Sequence, residues 1–236
     1  MDLINFLKNN MISVVYTNSK CNDVYNIFEK QYRKFNQLPL YKISDTEANH
    51  VYNQNDPYWK HWVDALEKIE DEYFIYHQED FILYDNVNDF ELERCKNILK
   101  NNKEYSFVRL IKSGFKLSTN VVDDYVYEIG KQSFPLYSMQ ATIWKKQKFI
   151  DLYKNTKQEK WFECEEYENA CKNLNIQGLY YYSGEKQRGG CHCDSSIYPY
   201  IATAVVKGKW NLSEYNEELR PLLIKNNINI NIRGTC

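Results

Sequence analysis

The sequence lacks any apolar run approaching the roughly 18–20 residues needed to cross a bilayer. Glycine and proline are scarce, 8 and 5 in 236 residues, and nowhere dense enough to mark a linker between domains. The net charge is only −2, so no strongly basic surface argues for nucleic acid as a partner. No internal repeat or low-complexity tract is present. The opening Met1–Asn10 (MDLINFLKNN) has no basic leading region, and its apolar part is too short for a secretion signal. It is expected to be a surface extension before a chain that starts folding at Met11. Without a secretion signal, the 7 scattered cysteines imply reduced thiols and a cytoplasmic setting. Cys191 and Cys193 flank His192, but no second Cys/His pair stands at zinc spacing.

What the chain has in abundance is aromatics: 21 tyrosines, 11 phenylalanines and 5 tryptophans. Rings with a polar tip suit both cores and sugar-binding clefts. The most informative stretch is Asp71–Asp85 (DEYFIYHQEDFILYD), where two apolar runs, Tyr73–Tyr76 and Phe81–Tyr84, flank His77-Gln78-Glu79-Asp80. The runs read as buried strands. Acids between buried strands are costly unless a cation compensates them, and a divalent ion held by carboxylate oxygens does so. The competing reading is a solvated hairpin turn, although the knot lacks the Gly, Pro or Asn that a tight hairpin favours.

Around it, strands and helices alternate. Ile12–Tyr16 and Leu38–Ile43 read as strands. Val24, Ile27, Phe28, Tyr32 and Phe35 recur at helical spacing, as do Trp59, Trp62, Val63, Leu66 and Ile69. A helix over Val87–Leu99, a strand over Tyr105–Ile111, a short strand over Tyr125–Ile129 and a strand over Leu136–Trp144 follow. Then come helices over Gln147–Tyr153 and Trp161–Leu174, a strand over Ile176–Tyr182, a flexible basic loop over Ser183–Gly190, an apolar run over Ile201–Val206 and a helix over Glu214–Asn226. A β-α-β-α-β-α-β first half predicts an α/β domain with a mostly parallel sheet flanked by helices, and an antiparallel C-terminal part. The whole chain, 1–236, is expected to be one domain. Such sheets bind ligands at the carboxyl ends of their strands. Thr17–Lys20 and Gln78–Asp80 both follow strands and would share that rim.

With these parts in this order, the chain resembles the GT-A fold glycosyltransferases, the nucleotide-diphospho-sugar transferases. More specifically, it is similar to small single-domain members from bacterial surface-polysaccharide clusters and large DNA viruses. Ile12–Lys20 resembles the nucleotide-binding start, with Thr17 and Asn18 at its end. FIYHQEDFIL (Phe74–Leu83) resembles the Asp-x-Asp strand, with Gln78-Glu79-Asp80 at the motif. WFECEEY (Trp161–Tyr167) resembles the acidic helix start that carries the base of inverting members, and Gly189–Trp210 the part where a His often completes the metal shell.

The resemblance implies a metal-dependent enzyme that moves a sugar from a nucleotide-sugar donor to a glycan, lipid-linked or protein acceptor. Asp80 would hold Mn²⁺ or Mg²⁺, with His192 as a further ligand, and Glu79 would touch the metal or the ribose. Lys186 and Arg188, between glycines, would close over the diphosphate; Arg109 and Lys112 are second candidates for phosphate or acceptor contact. Glu163, Glu165 or Glu166 would act as general base. For each residue an ordinary structural role stays open: an exposed turn for the Lys186–Arg188 loop, a core-lining ring for His192, and favourable helix-start acids for the glutamates. Three other functions fit parts of the pattern. A glycoside hydrolase also uses two carboxylates. A sugar-nucleotide pyrophosphorylase would open with a Gly-rich basic loop, absent at Thr17–Lys20. A non-catalytic nucleotide- or glycan-binding module would not need the acids.

Overall fold

The computed structural model describes residues 11–113, 117–130, 135–159, 164–188 and 192–236. Met1–Asn10 and Glu163, both singled out above, lie outside them, as does the start of the Trp161–Leu174 helix.

The chain enters as β1 (Met11–Tyr16), whose MISVVY run is buried along most of its length. Helix α1 (Asn22–Phe35) follows, then β2 (Leu40–Ser44) and the short β3 (His50–Val51). Helix α2 (Tyr58–Leu66) leads into β4 (Tyr73–Gln78), and the chain then forms β5 (Ile82–Leu83), α3 (Asp89–Asn101) and β6 (Tyr105–Arg109). Strands β7 (Val121–Asp123), β8 (Val126–Glu128) and β9 (Thr142–Lys145) precede α4 (Lys146–Thr156), α5 (Cys164–Asn173) and β10 (Gln177–Tyr181). The last part carries β11 (Gln187–Arg188), β12 (His192–Cys193), β13 (Tyr200–Ile201), β14 (Val205–Val206), β15 (Lys209–Trp210), α6 (Leu212–Lys225) and α7 (Ile230–Arg233).

Among the described residues, nine strands form one sheet in the order β3-β2-β1-β4-β9-β6-β10-β8-β7. The β3–β2, β2–β1, β1–β4 and β6–β10 pairs are parallel. Strand β9 runs antiparallel between β4 and β6. The α/β class and the mostly parallel sheet are thus as the sequence implies. Antiparallel pairing, however, reaches the centre of the sheet rather than staying in a C-terminal part.

Alternation along β4 explains the layering. Phe74 and Tyr76 point to one face, where Trp62 of α2 and Phe149 of α4 meet them, with Trp62 and Tyr76 rings 4.9 Å apart. His77 points to the other face, against Phe28 and Tyr32 of α1. Residues two apart in a strand share a face, so one strand fixes helices on both sides of the sheet. Strand β4 is buried on both faces, as its unbroken apolar run requires.

Beyond β4 the chain does not fold back as a hairpin. Its neighbours are β1 and β9, while β5 leaves to pair with β13. His77 and Gln78 belong to β4, so only Glu79 and Asp80 occupy the turn. Among the described residues, no helix is long and apolar enough to cross a membrane.

Candidate functional site

The sheet order reverses between β1, which leads on to β2, and β4, which leads away from it. Ligand crevices of α/β sheets form at such a point, beyond the carboxyl ends of the strands. An open cleft of about 790 Å³ lies there, bordered by Tyr16 at the end of β1 and Asn18 beyond it, and by Gln78 at the end of β4 with Glu79 and Asp80 beyond it.

On the β1 side, the Asn18 carboxamide accepts the Lys20 amide at 3.0 Å and caps a 3₁₀ turn, Ser19–Cys21. The Ser19 amide and hydroxyl donate to Asp45, just after β2, at 2.7 and 2.8 Å. Thr17 is fully buried and its amide donates to Ile43, so it supports the rim rather than facing the cleft. An aromatic wall stands beside it. Tyr52 and His61 stack at 3.9 Å, Tyr16 stacks on Tyr52 at 5.3 Å, and the Tyr16 hydroxyl bonds His61 Nδ1 at 3.0 Å. Burial holds the His61 ring below its ordinary pKa.

On the β4 side, the Gln78 carboxamide donates to the Tyr76 hydroxyl at 3.0 Å, and the Phe81 amide closes the turn on the Gln78 carbonyl. Burial, reinforced by the Glu79 charge, pushes the Asp80 carboxyl up to about 8. Burial likewise raises Glu79, although the Cys21 thiol beside it and the more distant Arg233 favour its charged form. Two adjacent acids at the cleft floor are therefore short of positive charge.

The remaining borders come from far along the chain. Asp56 and Glu159 stand on one side, Lys207, Gly208 and Arg233 on another. Glu159 is placed by backbone: Lys157, at φ +50°, turns the chain off α4, and the Gln158 and Glu159 carbonyls accept the Trp59 and Tyr58 amides at the start of α2. Arg233 is gripped by Asp23 through two bonds of 2.5 and 2.6 Å.

The cleft therefore gathers Asn18, Glu79 and Asp80 from the expected set, and leaves others outside its border. Arg188 is bound to Asp194 at 2.9 and 3.0 Å and to Glu218, within the β11–β12 ribbon and α6. Lys186 is exposed just before that ribbon. His192 pairs with Arg188 across the ribbon and bridges to Ser113; burial, and then the Arg109 charge, bring its ring down to about 4. Glu165 and Glu166 are exposed in the first turn of α5. Arg109 is wholly buried and donates to Ser113 and to the Leu136 carbonyl at 2.8 Å, a structural clamp in place of the phosphate or acceptor contact considered for it. Lys112 lies over the Tyr182 ring.

Glu159, Lys207 and Arg233 were not singled out from the sequence. For Lys207 a signal existed: Lys-Gly between Val205-Val206 and Lys209-Trp210 has the form of a two-residue hairpin turn.

A divalent ion fits this floor in one particular way. Among the described residues no group of three or more His, Cys, Asp or Glu side chains is close enough to hold a metal. Glu79 and Asp80 alone suit an ion that takes its remaining ligands from phosphate and water, as Mg²⁺ commonly does.

No protein-family model matches the chain, and no curated protein sequence matches it. Solved structures do resemble it. Staphylococcus aureus TarS 1–349 superposes with a TM-score of 0.49 at 13% identity, over 94% of this chain and 66% of that one. The bifunctional IspDF of Campylobacter jejuni gives 0.46 at 12%, over 75% of this chain and 50% of its own. A cytidylyltransferase of Leptospira borgpetersenii gives 0.45 at 12%, over 94% and 97%. This chain thus spans half of the length of IspDF and just under two thirds of the TarS chain.

Proposed function

We propose that this protein is a glycosyltransferase that moves a sugar from a nucleoside-diphosphate donor to a hydroxyl of a glycan, lipid-linked or protein acceptor, with inversion. The observation that carries this reading is the Glu79–Asp80 pair at the floor of the cleft between β1 and β4. In the transfer, the acceptor oxygen bonds to the anomeric carbon as the bond to the β-phosphate oxygen breaks. The electron pair stays on the nucleoside diphosphate, and the hydroxyl proton passes to a carboxylate. Mn²⁺ or Mg²⁺, held by Asp80 and Glu79 together with donor phosphate, would neutralise the departing diphosphate. The neighbouring positions of the two acids suit bridging a cation better than flanking a glycosidic bond from opposite sides, which a hydrolase requires. The turn after β1 contains no glycine-rich loop, which sets it apart from a pyrophosphorylase.

Thermal unfolding with UDP, GDP, ADP and CDP and their sugar conjugates, in Mn²⁺ or in EDTA, tests the reading. At least one should raise Tm more with Mn²⁺, since a ligand bound only by the folded state stabilises it by mass action. Asp80→Asn should erase the metal-dependent part. Equal shifts in Mn²⁺ and EDTA, or release of pyrophosphate in place of a nucleoside diphosphate, would overturn it.

A further inference from the structure

The hairpin β14–β15 turns on two residues, Lys207 at φ +49° and Gly208 at φ +81°. Positive φ at both places is a type I′ turn, whose first position favours Asn, Asp or Gly. A lysine there holds a backbone conformation that its side chain disfavours. Such an outlier at the edge of a cleft is a reason to look for a role.

The surroundings supply one. The hairpin is hung on Asp80: the Ala204 amide donates to the Asp80 carbonyl at 3.2 Å, and the Val205 amide favours the ionised Asp80 carboxylate. Its other strand holds the C-terminal segment, with the Trp210 amide on the Gly234 carbonyl and the Cys236 amide on the Trp210 carbonyl, both at 3.0 Å. One small unit thus places Lys207 and Arg233 at the same cleft as Asp80. Of these two cations Arg233 is committed to Asp23, whereas Lys207 is exposed and forms no ion pair among the described residues.

We infer that Lys207 is the side chain that binds the terminal phosphate of the donor diphosphate and neutralises it as the sugar leaves. The inference rests on the glycosyltransferase reading and adds to it a residue, a contact and a direction of effect. A compact ammonium on a rigid turn meets the anion as a point charge, and its attraction grows as the bond to the sugar breaks and charge collects on that phosphate.

The test is Lys207→Asn, which creates the favoured Asn-Gly turn, with Lys207→Arg as the charge-preserving control. For Lys207→Asn, Tm should stay level or rise, while sugar-nucleotide turnover in Mn²⁺ falls at least about ten-fold. The probe is whichever of UDP, GDP, ADP or CDP stabilises the unsubstituted protein most. Its affinity should fall in Lys207→Asn and recover in Lys207→Arg, while affinity for the matching monophosphate stays unchanged. If Lys207→Asn keeps full diphosphate affinity and turnover, the assignment is overturned and the glycosyltransferase reading stands. An equal loss of monophosphate affinity overturns it as well, because the lysine would then act elsewhere on the nucleotide. If the unsubstituted protein binds no nucleoside diphosphate, the glycosyltransferase reading fails and this assignment with it.

Discussion

At the scale of single residues, the placement of carboxylates around the cleft decides where a proton can go. Glu159 borders the cleft, whereas Glu165 and Glu166 are exposed at the start of α5, outside its border. Exchanging each for Gln keeps shape and removes charge, and Glu163→Gln completes the series. Glu159→Gln should lower sugar-nucleotide turnover by roughly 10²–10⁴-fold, the usual worth of a general base, with nucleoside-diphosphate affinity near that of the unsubstituted protein. Glu165→Gln and Glu166→Gln should turn over normally. Rate constants measured beside diphosphate titrations decide between them: a stalled Glu163→Gln with an active Glu159→Gln would move the base to residue 163. The sequence pointed to Asn18, Glu79 and Asp80 because each directly follows a strand legible from its own apolar pattern. Glu159 carried no such mark. It stands in a polar stretch and reaches the cleft only because the end of α4 docks on the start of α2.

At the scale of elements, the early strands and helices were readable because each carries its own period. Helix α1 buries Val24, Ile27, Phe28 and Tyr32, as their spacing foretells. The direction of β9 was not readable. An apolar strand looks the same whether its neighbours run with it or against it, so only pairing settles it. The expected strand over Leu136–Trp144 shrinks to Thr142–Lys145 for the same reason, since β4 and β6 offer partners only there. The supposed flexible loop over Ser183–Gly190 contains β11, held by Arg188. Within β10 the register against β6 shifts between Gln177 and Gly178. A methyl group on Gly178 would lie 2.0 Å from the Phe107 ring tip, and that ring is buried with its centroid 4.4 Å from Trp144. Glycine there permits a close approach of ring to backbone. Gly178→Ala should therefore destabilise the protein by about 1–3 kcal/mol, the common cost of overpacking. Denaturant unfolding measures it; an unchanged midpoint would mean that the Phe107 ring yields freely.

At the scale of the whole molecule, stability against pH carries the imprint of the site. His77 is fully buried, with its ring brought down to about 3, and its Nε2 meets the Tyr198 hydroxyl at 3.1 Å. Burial brings His192 down to about 4. Both have folded pKa values below the ordinary 6.5, so the unfolded chain takes up more protons under acid, and their contribution is present above about 6.5 and lost as pH falls. Asp80 has the opposite sign. Its folded pKa, about 8, lies above the ordinary 3.8, so the folded protein holds a proton that the unfolded chain has released, and stability declines as pH rises through that interval. About one pH unit above 6.5 the histidines are mostly neutral in both states, and the Asp80 proton then contributes a falling slope of at most about 1.4 kcal/mol per pH unit. In EDTA, Tm of the unsubstituted protein should therefore fall as pH rises from about 7.5 to about 8, and Asp80→Asn should lessen that fall while keeping the loss of stability under strong acid. A flat limb in the unsubstituted protein would show that Asp80 is ionised at neutral pH without help, which would remove the charge deficit at the cleft floor. A limb that survives Asp80→Asn would place the titrating group elsewhere. If the limb behaves as expected, the fold keeps an acid where it costs stability, and a cation that binds there should recover what the empty cleft loses.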